Sequence, residues 1–224
     1  MKTKVTKSAV QKSKRAVAAP RTVRKRRPIE VRSRILEAAL DVFATHGFEG
    51  TSTRTIAKVA HVSISLLIYH FQSKEALWRA VIEKEFQRYS MGRVATAVRT
   101  EKWTAKAKLE LFIEQTVRVF AEVPALHRLM TLEGHQVSER LIWLCETYLK
   151  DDFKDLCALI VEGQKDNTVR QMNPGRLRYA IIAVAAVPFS VAAEYQYLTK
   201  HNPFAPTEIA STIALIKHLV FVDP

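Results

Sequence analysis

Between Arg34 and Leu77, hydroxyl side chains recur where short helices would begin: Thr51 or Ser52, then Ser63, then Ser73. The chemistry they offer is hydrogen bonding, because a hydroxyl at a helix start accepts an otherwise orphaned backbone N–H. Bond-making chemistry has much less to work with. The sequence holds no phosphate-binding glycine loop, no G-x-S-x-G, no HExxH and no zinc-type Cys/His spacing. His127 and His135 have no Cys or carboxylate cluster beside them, so no metal is assigned. Cys145 and Cys157 stand among apolar helix-like residues and read as buried free thiols, as a reducing compartment allows. No cofactor and no enzyme activity are expected. An all-helical enzyme stays open as an alternative, since convergent catalytic groups need not be close in sequence.

The charge distribution is more informative than the net charge of +13. Residues 1–28 hold 11 Lys and Arg and no acid, residues 29–75 hold five of each sign, and residues 76–224 hold 19 basic and 17 acidic. Nearly all the excess is therefore in the first 28 residues. Their polar, basic composition cannot bury enough apolar surface to offset ordering entropy, so a disordered basic arm is expected. The arm lacks the apolar region of a secretory signal, and a transit peptide is the alternative. The longest uncharged apolar stretch, Tyr179–Ala193, contains Pro188 and is too short for a confident membrane span.

The elements that must position these groups are helical. Ile35, Leu36, Ala39, Leu40 and Phe43 form one stripe over a helix at 29–46, and Gly47 is placed to stop it in a left-handed conformation. A second helix runs to about Ala60 with Ile56, Ala57 and Ala60 inward. His61-Val62 makes a turn, and Ser63 opens a third helix ending near Phe71. Ser73 opens a fourth, with Glu75 in its first turn, extending to about Val98. Further helices are expected from Thr104 to about Glu122, from Pro124, and from Ser138 to about Gly163. Two more run from Asn173-Pro174 to about Thr199 with a bend at Pro188, and from Pro206 to about Phe221. No strand pattern competes. The expected organisation is a basic arm (1–28), a helix-turn-helix head (29–89, motif about 51–70) and a larger helical domain (90–224). A helix-turn-helix is a device for placing one helix in a DNA major groove.

Four spaced motifs share this register: R-I-L-x-A-A-L-x-x-F from Arg34, G-F-x-G-T-S from Gly47, I-A-x-x-A-x-V-S from Ile56 and Y-H-F-x-S-K-E-A-L from Tyr69. Over about a fifth of the chain they resemble the N-terminal domain of the TetR family of bacterial transcriptional regulators. The resemblance implies an all-α homodimer on double-stranded DNA at a palindromic operator, with recognition helices about one DNA turn apart. It also implies a C-terminal domain for ligand binding and dimerisation, where a small-molecule effector, unknown from sequence, releases the DNA. A cytoplasmic, nucleoid-associated repressor is the family default. By position, Ser52, Thr53 and Arg54 face phosphates, and Arg54 can read guanine; a solvated surface charge is its alternative. Tyr69 and His70 contact phosphate or bases, or Tyr69 is instead a buried support. Lys74 touches the DNA backbone.

Departures from the family pattern also carry information. His61 stands where the family usually has Gly, in a turn position that His tolerates better than β-branched residues do. The third helix reads Ser63, Ile64, Ser65, Leu66, Leu67, Ile68. Leu67 belongs to the core, but Ile64, Leu66 and Ile68 cannot all be buried, and those facing DNA would meet thymine methyls. The head is also neutral, a deficit the arm offsets if Arg24, Lys25, Arg26 and Arg27 enter a minor groove. Neutralising about four phosphates would steepen the log-log salt dependence by about 3.6 units of slope per arm. A solubilising tail is the alternative for the arm, and an arm-driven architectural protein without an inducer is the alternative for the chain.

In the C-terminal half, the candidate pocket residues are Trp103, Phe112, His127, Met130, Trp143, Phe189 and Tyr195. Each of them is open to the alternative of plain core. The dimer seam is expected on Ile181, Ile182, Val184, Ala185 and Ala192, with Ile209, Ile213, Ile216 and Val220 of the last helix. An intramolecular core is the competing explanation.

Overall fold

The computed structural model describes the backbone of residues 21–89 and 102–222, and the side chains of 29–87 and 102–222. Its helices are α1 (Arg21–His46), α2 (Thr53–Val59), α3 (Ile64–Phe71), α4 (Lys74–Tyr89), α5 (Ala105–Glu122), α6 (Pro124–Gly134) and α7 (Glu139–Leu144). A π-turn, Cys145–Leu149, joins α7 to α8 (Lys150–Lys165), and α9 (Pro174–Ser190), α10 (Ala192–Thr199) and α11 (Pro206–Val220) follow. The one β-type pairing among the described residues is an antiparallel bridge between Val169 and Phe221.

Local chemistry explains the head. Gly47 takes φ 68° and its N–H donates to the Phe43 carbonyl at 2.9 Å, ending α1 in the left-handed conformation that glycine adopts without penalty. At Gly50 a Cβ would stand 2.4 Å from the His46 carbonyl oxygen, so only glycine lets the chain pass. Of the two capping candidates, Ser52 caps α2, accepting from the Thr55 N–H at 3.0 Å. Thr51 is buried, and its hydroxyl donates to the Gly47 carbonyl at 2.7 Å. Ser63 caps α3 at 3.2 Å and Ser73 caps α4 at 3.0 Å. His61 holds φ 53° in the turn between α2 and α3.

Several boundaries differ from expectation. α1 begins at Arg21, eight residues before Ile29, so Arg24, Lys25, Arg26 and Arg27 lie on helical backbone and not in a disordered arm. Arg and Lys are strong helix formers, and backward extension of an existing helix needs no new nucleus. Residues 1–20 and the proposed end of the fourth helix near Val98 lie outside the described residues. The long helix expected from Asn173 to Thr199 is two helices, α9 and α10, that meet at 79°. The break falls at Val191 (φ −113°, ψ 38°), not at Pro188. Proline removes one donor while α9 runs on to Ser190; the backbone leaves helical geometry only after that turn closes.

Two hydrophobic cores result. The first gathers Ile35, Phe43, Ile56, Leu67 and Trp78 of α1–α4 with Ala125, Leu126 and Leu129 of α6 and with Leu144. The second gathers Leu109 and Ile113 of α5, Leu159 and Ile160 of α8, Ile181, Ala185 and Phe189 of α9, and Ile216 and Val220 of α11. Val119 packs against both. Packing therefore does not divide at residue 90: α6 belongs to the C-terminal half by sequence and to the head by burial. No single helix among the described residues is long and apolar enough to cross a membrane.

Because Leu126 is 1% exposed in the shared core, Leu126→Ala is expected to cost about 2–5 kcal/mol. Thermal unfolding followed by tryptophan fluorescence and by circular dichroism should still show one coincident transition. Two separated transitions would mean that the head folds without α6.

Candidate nucleic-acid interface

α3 is anchored by two side chains, Leu67 and Phe71, both buried. Helical periodicity then forces the rest of the surface outward. Ile64 is 37% exposed, Ile68 48% and Tyr69 79%, while Leu66 and His70 are half-buried and Ser65 is exposed. Tyr69 is thus no core support, and its ring lies edge-on to His70 at 5.4 Å. At the start of α2, Ser52 and Arg54 are exposed and Thr53 is half-buried. Ile64, Ile68, Tyr69 and Ser65 form a mixed apolar and hydrogen-bonding face on a helix of eight residues.

Lys74 is placed differently from expectation. Its ammonium donates to the carbonyls of Phe48 at 2.9 Å and Thr51 at 3.1 Å, and it lies 4.2 Å from the Phe48 ring centroid. A side chain engaged three ways inside the fold ties α4 to the α1–α2 turn, and through α4 sets the seat of α3. The sequence motif marked the residue but not this use, because the two carbonyls lie 26 and 23 residues away in the chain.

A cavity of about 1100 Å³ is lined by residues of both cores. Leu126 and Leu144 of the first core and Phe120 and Leu156 of the second line it, together with Phe112, Met130 and Ile182. Of the seven candidate pocket residues, Phe112, His127 and Met130 reach it. Trp103 is 47% exposed on the surface instead. Trp143 packs edge-on to Trp78 at 5.9 Å and to Tyr148 at 5.6 Å, Phe189 is buried against Phe204 at 5.7 Å, and Tyr195 donates to the Glu208 carboxylate at 2.8 Å. None of these four lines the cavity. For Trp143, Phe189 and Tyr195 the reason is that an aromatic at helical spacing does not say whether its face meets another helix or a void; Trp103 precedes α5 and lies on no helix at all.

Sequence reasoning missed the wall formed by Cys145, Leu149 and Phe153, and also Arg178 and Tyr179 of α9. The π-turn is responsible for part of this. One wide turn shifts the phase of every later side chain, and such turns are frequent at functional sites. Cys145 and Cys157 are free thiols but only half-buried, and burial pushes the Cys157 thiol up from its ordinary value, with Arg178 opposing. His127 shares a 2.8 Å hydrogen bond between Nδ1 and the Ser190 hydroxyl. Burial, then the charge of Arg128, lowers its pKa, so it stays neutral near pH 7. The rim is charged: Lys150 pairs with Glu146 at 2.7 Å, and the Arg178 guanidinium lies 5.3 Å from the Phe153 ring. Among the described residues no cluster of three or more His, Cys, Asp or Glu is arranged to hold a metal.

The expected seam residues largely face inward. Ile181, Ala185, Ile216 and Val220 are buried in the second core, and Ile182, Val184, Ile209 and Ile213 pack on it. The exposed large apolar side chains of the same two helices are Tyr179 and Val187 on α9 and Leu215 and Leu219 on α11, with Val191 at the end of α9. The stripe read from sequence was the intramolecular one, because α9 and α11 carry apolar residues on more than one face.

Residues 35–81 match the family model described as bacterial regulatory proteins, tetR family. The HTH-type transcriptional regulator RutR of Escherichia coli is 30% identical over 190 residues, covering 84% of this chain and 82% of that protein. UidR of the same organism is 42% identical over 57 residues, 25% of this chain and 29% of that protein. Among solved structures, a HlyIIR mutant protein matches with a TM-score of 0.68 at 21% identity, over 88% of this chain and 100% of that one. FadR from Bacillus subtilis, in complex with stearoyl-CoA, matches with a TM-score of 0.58 at 23% identity, over 84% of this chain and 98% of that one. A helix-turn-helix head, a second helical bundle and a match that spans both halves lead to one conclusion: the chain belongs to the TetR family of bacterial transcriptional regulators.

Proposed function

We propose that this regulator is a homodimeric repressor that binds a palindromic operator through α3 and releases it when a small molecule fills the cavity. The observation that carries this reading is the cavity's place between the core that holds the head and the core that holds α5, α8, α9 and α11. A ligand there adds volume between two close-packed bodies, which respond by shifting as units because packed cores are not continuously deformable.

Ser52, Thr53, Arg54, Ser63, Ser65, Tyr69 and His70 are assigned to phosphates and base edges, and Ile64, Leu66 and Ile68 to apolar contact with thymine methyls. Lys74 acts from inside, holding the turn that seats α3. The exposed Val187, Val191, Leu215 and Leu219 supply the dimer face, since close apolar packing between subunits is the usual fate of such a surface. At about 1100 Å³, the cavity stands at the upper end of small-molecule sites, and its interior is mostly apolar. It suits a bulky, largely apolar effector better than a single polar heterocycle. FadR, of similar fold, accommodates stearoyl-CoA.

Selection of genomic fragments on the full-length protein at about 150 mM salt, where nonspecific binding is weak, should return a short palindrome. Unrelated fragments, with binding lost on removal of the first residues, would replace this reading with an arm-driven architectural role. On the selected operator, Arg54→Ala and Tyr69→Ala should each weaken binding by about 1–3 kcal/mol without lowering thermal stability. Lys74→Met should do the opposite first, destabilising the fold by about 1–3 kcal/mol, because the Thr51 carbonyl loses its donor while that of Phe48 keeps only the Thr51 N–H. If Lys74→Met keeps the parent's melting temperature and only binding suffers, Lys74 belongs to the interface after all.

Deleting residues 1–27 should lower the slope of the log-log salt dependence by about 3.6 for each arm that covers about four phosphates. An unchanged slope would show that the arm stays off the DNA.

A further inference from the structure

Arg140 is a cation of the second half of the chain that reaches the DNA-binding head. Its guanidinium carbon lies 3.7 Å from the centroid of the Phe48 ring, and one nitrogen lies 3.5 Å from the Glu49 carboxylate. Both residues are in the turn between α1 and α2. The other side of the same guanidinium pairs with Glu133 at 3.2 Å. Glu133 is only 6% exposed and also accepts from the hydroxyl of Ser138, the cap of α7. A buried carboxylate with a fixed second partner gives Arg140 a firm footing, and the planar fork of arginine suits simultaneous contact with a ring and two carboxylates. The turn is therefore held by two cations: Lys74 from α4, bonded to the carbonyls of Phe48 and Thr51, and Arg140 from α7.

The same short element also faces the cavity. Leu141 and Leu144 line it, and so do Gly134 and His135, which follow directly on Glu133. With six residues, α7 is under two turns long and moves as one piece. One short element thus serves both tasks: Arg140 grips the head, while Leu144 on the same face, buried in the first core, and Leu141 beside it meet whatever occupies the cavity. The apolar contact between α6 and α1 lies nearby, but apolar packing is non-directional. The guanidinium contact has a defined geometry, and a small displacement of α7 changes it.

We infer that Arg140 is the positioning residue that converts filling of the cavity into movement of the α1–α2 turn, and hence of α3. The inference rests on the ligand-controlled reading given above. When α7 is pushed from the cavity side, Arg140 carries Phe48 and Glu49 with it. Lys74 passes the motion to α4 and the seat of α3.

The test compares operator affinity, read by fluorescence anisotropy on full-length dimers, with the cavity empty and filled. Two fillers are used: Thr116→Phe, a plug from a cavity-lining position on α5 that does not touch Arg140, and decanoate as a diffusible apolar probe. In the parent, filling should weaken operator binding by about tenfold, within the usual range of about 5–150-fold for coupled sites. In Arg140→Met, which keeps a stem of similar length and removes the cation, the same fillers should change affinity by less than about threefold. Phe48→Leu, which removes the ring from the other partner, should give the same loss of response and guards against an Arg140 variant that does not fold. Lys84→Met, which breaks an ion pair with Glu37 inside the head, should respond like the parent. Equal weakening in the parent, Arg140→Met and Phe48→Leu would overturn the role of Arg140 and leave ligand control intact. A parent unmoved by either filler would overturn ligand control through this cavity, and the inference with it.

Discussion

The structure depends on one constraint: α2 and α3 are too short to stand alone. At seven and eight residues, neither can overcome the cost of helix nucleation without tertiary packing. They fold because Ile56, Ala57, Leu67 and Phe71 have a surface to sit on, and α1 supplies it with Ile35, Ala39 and Phe43. α1 is in turn covered by α4 on one side and by α6 on another. A three-helix head of this size buries little surface by itself, so part of its core is supplied by Ala125, Leu126 and Leu129 of α6. The helix-turn-helix is stabilised by a helix that is also a cavity wall.

This sharing decides what kinds of contact do which work. Apolar packing holds the parts together but specifies position loosely. Position is specified by a few polar contacts of defined geometry around one aromatic ring: Lys74 and Arg140 near Phe48, Thr51 donating back to Gly47, and Glu133 under Arg140. Each of these charged groups has a partner, as buried polar groups must. The motif around Lys74 points it outward, whereas its ammonium donates to two carbonyls of the α1–α2 turn.

What was legible in the sequence was local. Ser52, Ser63 and Ser73 cap the helices expected of them, Gly47 ends α1 with positive φ, and His61 takes the strained turn, because caps and turns are decided by a few neighbouring residues. Leu67 as the buried anchor of α3 was legible, and so was the exposure of some of Ile64, Leu66 and Ile68, but not which of them. The parts that were not legible depend on relative placement. A cavity is a lack of packing, and nothing in the residues Trp103, Trp143, Phe189 or Tyr195 says which of them will border one. On α9 and α11 several faces are apolar, so periodicity chose Ile181 and Ile216, which turn inward, over Val187 and Leu215, which do not. The start of α1 at Arg21 was hidden because composition argues from burial and is silent about a helix that extends without it.

The π-turn at Cys145–Leu149 gives the junction between the two halves a particular mechanical character. A loop there would leave slack, and the two cores would shift independently. In an uninterrupted α-helix Leu144 and Leu156, twelve positions apart in the chain, would stand about 120° apart around the axis. The wide turn holds about one residue more than an α-turn and brings them to within about 20° of each other, so that Leu144 of the first core and Leu156 of the second line the same cavity. The joint works less like a hinge than like a vernier: it takes up a rotational mismatch without breaking the rod, and the two cores present one continuous wall.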